Sequence, residues 1–427
     1  MALLLLLERH LLWSRQNPDG GITYFYYYDA YTWVVAALAL VWLVWFFVAR
    51  YLRARGRRRP PRRSDHGLLK RVVRVKRELS ARYLRPGFSA NIHAVGVGVL
   101  ADGAYCIQVF VNDPNQELWI GAGAGGLPPA YGGVPLVLIR MGRTVFLSGA
   151  EPDAHESWER YAEGIRDRRD VIIGGISGAN ANLTGQSGTL GYFCTRTGKL
   201  RPGTETHVVS NLHVLADLRK TEVDDSDLIV QPSPGESESN RPIGMLVKYS
   251  PVKFNGDTNS PNHIDAAIAK LWVSSPHAPL IPLIGRLRGH VDKKDVRPRD
   301  PVRKCGRSTG YTEGCIFSIY LDIWVRYDRT GQSAFFQDQF LIEPALPRFR
   351  MFVDKGDSGS MVVDEGQYAL GLIFAGVPEV PASAKASPNA TGGSGDGSAD
   401  GEPGVENYGV ANPISEVLDR LKIQLIT

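Results

Sequence analysis

The feature that most constrains the fold is a turn sequence near the C-terminus, KGDSGS at residues 355–360. Apolar stretches typical of strands flank it, residues 350–353 before it and 361–363 after it. Gly356 permits a tight turn that can aim the backbone N–H groups of Gly356 and Ser358 at one point. The turn fits an ordinary glycine-rich hairpin. It also fits a serine nucleophile whose oxyanion is held by those two N–H groups.

Two further stretches supply the side chains that such a nucleophile needs. A β-rich run that begins at residue 208 leads into His213, and Asp265 stands at the start of an apolar run over residues 266–269. The order along the chain is His213, Asp265, Ser358, with gaps of 52 and 93 residues. In a triad the His is the general base and the Asp orients it. Each residue alone fits a structural role, but the three together in this order favour a serine-nucleophile site.

The blocks SNLHVLA, NHIDAAIA and KGDSGS resemble those of chymotrypsin-fold (trypsin-like) serine peptidases. They are most similar to blocks in bacterial trypsin-like peptidases that carry a small N-terminal α+β module. The likeness covers about residues 172–425. It implies a mainly β fold, with a double β-barrel of chymotrypsin type in a peptidase domain at residues 172–427. We expect the first barrel over residues 187–284 and the second over residues 302–410.

The resemblance also implies an activity, that of a serine-type endopeptidase that hydrolyses peptide bonds through an acyl-enzyme intermediate. Its substrate would be a protein or peptide, with His213, Asp265 and Ser358 as the catalytic residues. Gly356 and Ser358 would form the oxyanion hole. The mechanism requires no cofactor and no metal. The alternative is a catalytically silent module that has this fold and binds extended peptides.

By the same resemblance, Phe352 lies six positions before the nucleophile, at the base of the specificity pocket. The strand that follows the nucleophile would contribute Phe374, Ala375 and Gly376 to substrate binding and would pair with an extended peptide. No acidic residue stands at the pocket base, so a preference for Arg or Lys is not supported. We expect small or apolar side chains to be preferred.

A sequence similar to the activation site of trypsin zymogens begins at Ile172. In those proteins the freed N-terminus pairs with the Asp before the nucleophile, which is Asp357 here. Val171 precedes Ile172 where Arg or Lys would be expected, so a plain entry strand is the alternative.

The N-terminal part contains a stretch typical of a membrane span. After an N-terminal segment (residues 1–29), residues 30–49 are twenty uncharged, mostly apolar residues. As a helix they would extend about 30 Å, the thickness of a hydrocarbon core. This predicts a single-pass transmembrane helix. The linker at residues 50–67 is rich in arginine, and the positive-inside rule then puts the peptidase domain in the cytoplasm.

The charge is concentrated in one place. Eight arginines lie in residues 50–63, so the rest of a chain with net charge +5 carries −3. Beside a membrane span, such a cluster favours contact with anionic lipid over nucleic-acid binding. A scaffold that tethers lipid or nucleic acid through residues 50–77 is a weaker third interpretation.

The remaining segments differ in composition. Residues 68–149 predict a small α+β domain, with a helix over 68–85 followed by three strand-like runs. Residues 150–171 form a charged linker, and residues 381–403, rich in Pro, Ala, Ser and Gly, predict a flexible insertion. The four cysteines show no metal-ligand spacing and no disulfide framework, which indicates free thiols.

Overall fold

The structure, a computed structural model, describes sixteen stretches of the chain. They are residues 10–16, 18–20, 22–27, 38–45, 66–86, 91–112, 128–142, 144–146, 164–197, 205–218, 227–234, 236, 240–254, 258–327, 330–381 and 405–427. The chain forms two compact units, residues 1–57 and 58–427, and each is described by itself.

The first unit contains a hairpin and a helical segment. Strands β1 (His10–Gln16) and β2 (Ile22–Tyr27) pair antiparallel, with His10 opposite Tyr27 and Gln16 opposite Ile22. This hairpin was not predicted from the sequence. Residues 38–45 are helical.

The structure describes only residues 38–45 of the predicted transmembrane helix. Within the stretches that the structure describes, no helix is long and apolar enough to cross a bilayer. Residues 30–37 and 46–49 of the predicted span lie outside the described residues, as does the arginine-rich stretch at residues 50–65.

The second unit begins with helix α1 (His66–Tyr83), close to the helix predicted over residues 68–85. Its buried side chains recur at helical spacing, with Leu69, Val72 and Leu79 among them, so one apolar face packs on the sheet while basic residues cover the other. Pro86, which cannot donate a helical N–H, follows soon after its end.

The other elements of this unit are mostly strands, with two further helices and a single 3₁₀ turn in the part described. The strands are β3 (Ile92–Val99), β4 (Tyr105–Val111), β5 (Ala130–Tyr131), β6 (Val134–Arg140), β7 (Val145–Phe146), β8 (Ile176–Ser177), β9 (Ala179–Asn180), β10 (Thr189–Leu190), β11 (Tyr192–Arg196), β12 (His207–Ser210), β13 (Leu228–Gln231), β14 (Arg241–Tyr249), β15 (Ala267–Leu271), β16 (Gly289–His290), β17 (Pro301–Gly306), β18 (Gly310–Tyr327), β19 (Gln332–Pro344), β20 (Met361–Val363), β21 (Tyr368–Pro381), β22 (Val405–Pro413) and β23 (Ile423–Leu425). The helices are α2 (Leu212–Leu215) and α3 (Ile414–Leu421), and the 3₁₀ turn is Lys293–Asp295.

These strands form two large sheets, so the unit is mainly β as expected. One sheet has seven strands in the order β23-β11-β12-β15-β14-β13-β9. The other has twelve, with the order β17-β20-β21-β22-β19-β18-β3-β4-β6-β5 and with β7 and β16 attached. β17 pairs with both β20 and β18. The double β-barrel of chymotrypsin type stays a prediction.

The predicted α+β module is not a separate sheet. Its three predicted strand runs are present as β3, β4 and β6, but they continue the larger sheet, since β3 pairs with β18. The cause is the length of β18. Its first part pairs with β17 over residues 310–315, and residues 319–323, beyond the end of β17, pair with β3. An unpaired strand edge would be left there without β3.

Buried charges reinforce this junction. The Lys76 Nζ of helix α1 lies 2.5 Å from Asp322 Oδ1 of β18, and both side chains are fully buried. Asp338 of β19 lies within 3.3 Å of Arg77 and of Lys293. The helix before the sheet and the strands of the sheet therefore share one ionic cluster.

The cysteines and the insertion complete the description. All four cysteines are free, as predicted. Burial raises the pKa of Cys106 to about 11 and that of Cys305 to about 12. The predicted insertion at residues 381–403 lies outside the described residues except for Pro381, where β21 ends.

Candidate active site

His213 lies in a single helical turn directly after strand β12. Asn211, at the start of that turn, donates through its side-chain nitrogen to the carbonyl of Asp265 at 2.8 Å. Strands β12 and β15 pair antiparallel, with Ser210 opposite Ala267. The end of one strand and the start of its neighbour therefore bring His213 and Asp265 together.

The carboxylate of Asp265 is fully buried and holds the imidazole directly. Its Oδ2 lies 2.9 Å from His213 Nδ1. Its Oδ1 accepts the backbone N–H groups of Leu212 at 2.7 Å and His213 at 3.3 Å. A carboxylate beside Nδ1 favours the tautomer that carries its proton there, which leaves Nε2 as the basic nitrogen.

A third side chain reaches the same carboxylate and was not anticipated from the sequence. Tyr327, the last residue of β18, donates its hydroxyl to Asp265 Oδ2 at 2.9 Å. Burial raises the pKa of Tyr327 well above its ordinary value, and the neighbouring Asp265 raises it further. In the sequence, Tyr327 is the end of an apolar strand, and nothing local distinguishes it from a core tyrosine.

Ser358 lies in a turn whose backbone requires glycine on both sides. Gly356 has a φ of +100° and Gly359 a φ of +97°. A Cβ at Gly359 would lie 2.1 Å from the Thr189 carbonyl and 2.2 Å from Ser210 Oγ. The turn thus packs closely against the strands that carry the His213 block.

Hydrogen bonds fix that packing. The backbone N–H of Thr189 donates to the Ser358 carbonyl at 2.8 Å, and Ser210 Oγ donates to the Thr189 carbonyl at 2.7 Å. Ser210 is three residues before His213. The structure therefore places all three predicted triad residues in one region, with His213 and Asp265 in direct contact.

The serine side chain points towards the strand that follows it. Ser358 Oγ donates to the carbonyl of Phe374 at 3.3 Å, and the N–H of Gly359 donates to the Ile373 carbonyl at 2.8 Å. The predicted oxyanion donors, the N–H groups of Gly356 and Ser358, belong to this same turn. Ser358 is fully buried and His213 is 4% exposed.

Asp357, the residue before the serine, forms an ion pair with a lysine of the folded chain. Lys304 Nζ lies 3.2 Å from its Oδ2, and its Oδ1 accepts the backbone N–H of Ser308 at 2.8 Å. Ile172, the residue that would pair with Asp357 after zymogen cleavage, is buried, and its N–H donates to the Pro276 carbonyl at 2.8 Å. Ile172 forms an isolated bridge with His277 in the uncleaved chain, and both the zymogen hypothesis and the plain entry strand stay predictions.

The predicted specificity residues are all buried. The ring of Phe352 lies in the core of the larger sheet, 5.9 Å from Lys304 Nζ. Phe374 packs on Phe336 with ring centroids 4.8 Å apart. Their role in substrate preference stays a prediction.

The last two predicted substrate-binding residues, Ala375 and Gly376, lie in the middle of β21. On one side they pair with β22, with Val410 opposite Ala375. On the other side they pair with β7, with Phe146 opposite Ala375 and Val145 opposite Gly376. This second pairing was not predicted from the sequence.

Comparison with known proteins finds likeness in structure only. No family model matches the chain, and no curated protein matches its sequence. Solved structures similar to it include protease A from Thermobifida fusca and Cellulomonas bogoriensis chymotrypsin, each with 16% identity, and Nocardiopsis protease with 14%. Each match has a TM-score of 0.33 and covers 60% of this chain and 98–99% of the other. At these values the matches establish no family membership.

Proposed function

We propose that this chain is a serine endopeptidase with His213, Asp265 and Ser358 as its catalytic triad. The observation that carries the proposal is the 2.9 Å contact between Asp265 Oδ2 and His213 Nδ1, next to the turn that holds Ser358. The buried carboxylate of Asp265 favours the tautomer of His213 that carries its proton on Nδ1. That tautomer suits a histidine that acts as a base through Nε2.

The mechanism follows from these positions. His213 Nε2 takes the proton of Ser358 as its oxygen attacks the substrate carbonyl. The N–H groups of Gly356 and Ser358 stabilise the oxyanion. The imidazolium, held by Asp265, then gives its proton to the leaving amine, and water hydrolyses the acyl-enzyme by the same steps.

The substrate is an extended peptide. Strand β21 continues from the Phe374 carbonyl, which accepts from Ser358 Oγ, into Ala375 and Gly376. A peptide that takes the place of β7 at this edge would pair with Gly376 and place its next residues beside the nucleophile. Phe352 and Phe374 favour small or apolar side chains at the cleaved bond.

The experiment that tests this function is covalent labelling of the full chain by a fluorophosphonate, followed for hours beside Ser358→Ala. Only an activated serine reacts with such a probe. We expect the label on Ser358 and none on the variant. A folded chain in which Ser358 never acquires the label contradicts the proposal.

The full burial of Ser358 favours a second candidate, a catalytically silent module that binds peptides. The same labelling separates the two, since a silent module binds peptide without reacting.

The proposal also includes anchoring by residues 30–49, with the arginine-rich flank on anionic lipid and the peptidase unit in the cytoplasm. It further includes the double barrel of chymotrypsin type. The anchoring is supported by the sequence, and the barrels also by the two sheets.

A further inference from the structure

We propose that Tyr327 is a positioning residue for the triad, an inference that rests on the function proposed above. Its hydroxyl donates to Asp265 Oδ2 at 2.9 Å, the same oxygen that holds His213 Nδ1. Asp265 thus accepts four donors, two backbone N–H groups on Oδ1 and the imidazole and the phenol on Oδ2. Such a set fixes the plane of the carboxylate and so the plane of the imidazole.

The hydroxyl is a permanent donor. Tyr327 is 3% exposed, and both burial and the neighbouring carboxylate raise its pKa, so it keeps its proton across the working range. By donating to Oδ2 it reduces the negative charge that Asp265 presents to the imidazole. The phenol therefore affects both the orientation and the basicity of His213.

Packing holds the phenol in place. Its ring meets Phe254 edge-on at 4.9 Å and stacks on Phe336 at 6.5 Å. Asn262, three residues before Asp265, donates its N–H to the Phe335 carbonyl at 2.9 Å and accepts from Gln337 at 2.9 Å. These bonds attach the β18–β19 hairpin to the loop that carries Asp265.

One carboxylate connects Tyr327 to His213. Asp265 contacts it from the loop before β15, and Tyr327 reaches Asp265 from the end of β18. The neutral amides of Asn211 and Asn412 bond to the backbone of Asp265. Removal of the phenol hydroxyl therefore acts on His213 through Asp265.

The test compares Tyr327→Phe with Tyr311→Phe in the full chain. Tyr311 lies on the same strand and donates its hydroxyl to Glu313 at 2.7 Å, so it is a matched control outside the site. We expect Tyr327→Phe to label with fluorophosphonate about tenfold more slowly, the effect typical of one hydrogen bond to a charged group. Tyr311→Phe should match the parent.

A second measurement needs no turnover. The NMR resonance of the His213 Nδ1 proton should move downfield in Tyr327→Phe, since Asp265 Oδ2 then accepts from the imidazole alone. An unchanged resonance of this proton in folded Tyr327→Phe overturns the role of Tyr327, whatever the activity. Absence of labelling in the parent instead contradicts the proposed function.

A different observation carries a second inference: the substrate edge of β21 is occupied by the chain itself. Strand β7 pairs antiparallel with β21 through Val145 opposite Gly376 and Phe146 opposite Ala375. The other edge of β21 pairs with β22. Since both edges are filled, a peptide cannot add to β21 at this point while β7 is in place.

Strand β7 also pairs with β18. Val145 pairs in parallel with Arg326 of β18, and the Arg326 N–H donates to the Thr144 carbonyl at 3.3 Å. An attached strand competes at a high effective concentration, so a free peptide must be abundant to displace it. We infer that the described form is self-inhibited by residues 144–146, which occupy the edge of β21 where a substrate peptide would pair.

The experiment displaces the strand with Val145→Pro in the full chain, which removes one N–H and disfavours the pairing. Ala130→Pro, in the exposed edge strand β5, is the matched control. We expect Val145→Pro to label at Ser358 at least tenfold faster than the parent and Ala130→Pro. Amide exchange over residues 370–377 should be faster in Val145→Pro alone.

The two readouts separate the possible failures. If Val145→Pro is folded and labels at the parent rate, β7 does not limit access and the inference is overturned. Unchanged exchange over residues 370–377 overturns it without reference to the serine. Faster exchange with no labelling in any variant supports the displacement and contradicts the proposed function.

Discussion

Lys304 and Asp357 form an ion pair with 3.2 Å between Nζ and Oδ2, and both side chains are fully buried. Lys304 lies in β17, and Asp357 is the residue before Ser358. The ammonium also donates to Thr309 Oγ1 and to the Gly310 carbonyl at 3.3 Å. The backbone of the serine turn is therefore fixed by a cation that the folded chain already contains.

Loss of this cation should unfold the turn. In Lys304→Met the buried carboxylate of Asp357 has no counter-charge, and breaking a buried pair costs about 3–5 kcal/mol. We expect that loss in the free energy of unfolding, measured with urea, together with loss of labelling at Ser358. Lys355→Met, an exposed lysine in the same turn, should match the parent. A Lys304→Met protein as stable as that control would show that the pair is not needed.

The active form should retain the peptide bond before Ile172. Ile172 is buried and its N–H is bonded to Pro276, while Asp357 already has Lys304. The intact mass of the fluorophosphonate-labelled protein should therefore equal that of the full chain plus the label. Label found only on a fragment that begins at Ile172 would restore the zymogen hypothesis.

The parts of the site that sequence could predict are those carried by local blocks. The side chains of His213, Asp265 and Ser358 stand in short stretches whose order and turn chemistry indicate their place. Tyr327 could not be found in this way, because its partner Asp265 lies 62 residues away and only the β18–β19 hairpin brings them together.

The fold shows the same limit. Strand runs such as those of β3, β4 and β6 follow from apolar periodicity, but periodicity does not choose the partner of a strand. The pairing of β3 with β18 depends on the 18-residue length of β18, which was not predicted from the sequence. The pairing of β7 with Ala375 has no local signal, since two residues are too few for a pattern.

Helix α1 should contribute to the stability of the whole second unit. Lys76 is fully buried against Asp322, so Lys76→Met leaves a buried carboxylate without its cation and should cost about 3–5 kcal/mol. Unfolding in urea, followed by amide exchange in both α1 and β21, should remain a single transition at lower urea. Lys70→Met, on the exposed face of α1, should be neutral. Separate transitions for the two elements would mean that residues 66–146 fold independently.

Residues 1–64 should determine membrane association. The run at residues 30–49 is long enough to span a bilayer, and the arginines after it favour anionic lipid. We expect the full chain to float with phosphatidylserine-containing vesicles at high salt, which screens the lipid contact but not insertion. A chain without residues 1–64 should stay in the soluble fraction. Release of the full chain by salt would indicate surface contact instead of a span.

The ionic cluster around Asp338 should make the free energy of unfolding depend on pH in the acid range. Burial alone raises the pKa of this carboxyl, but Lys76, Lys293 and Arg77 outweigh burial and hold its pKa below the ordinary 3.8. The ionised form is thus favoured by folding. Its contribution is present above pH 3.8 and is lost as pH falls through the lower folded pKa.

Asp338→Asn should therefore be less stable than the parent at pH 7 by about 1.5–3 kcal/mol, the range for hydrogen bonds to charged groups. Urea unfolding at pH 7, 5, 4 and 3 should show this difference shrink towards the acid end, while Asp419→Asn, at an exposed carboxyl, should show none at any pH. A difference that stays constant with pH would mean that the cations do not act on Asp338 in the folded state.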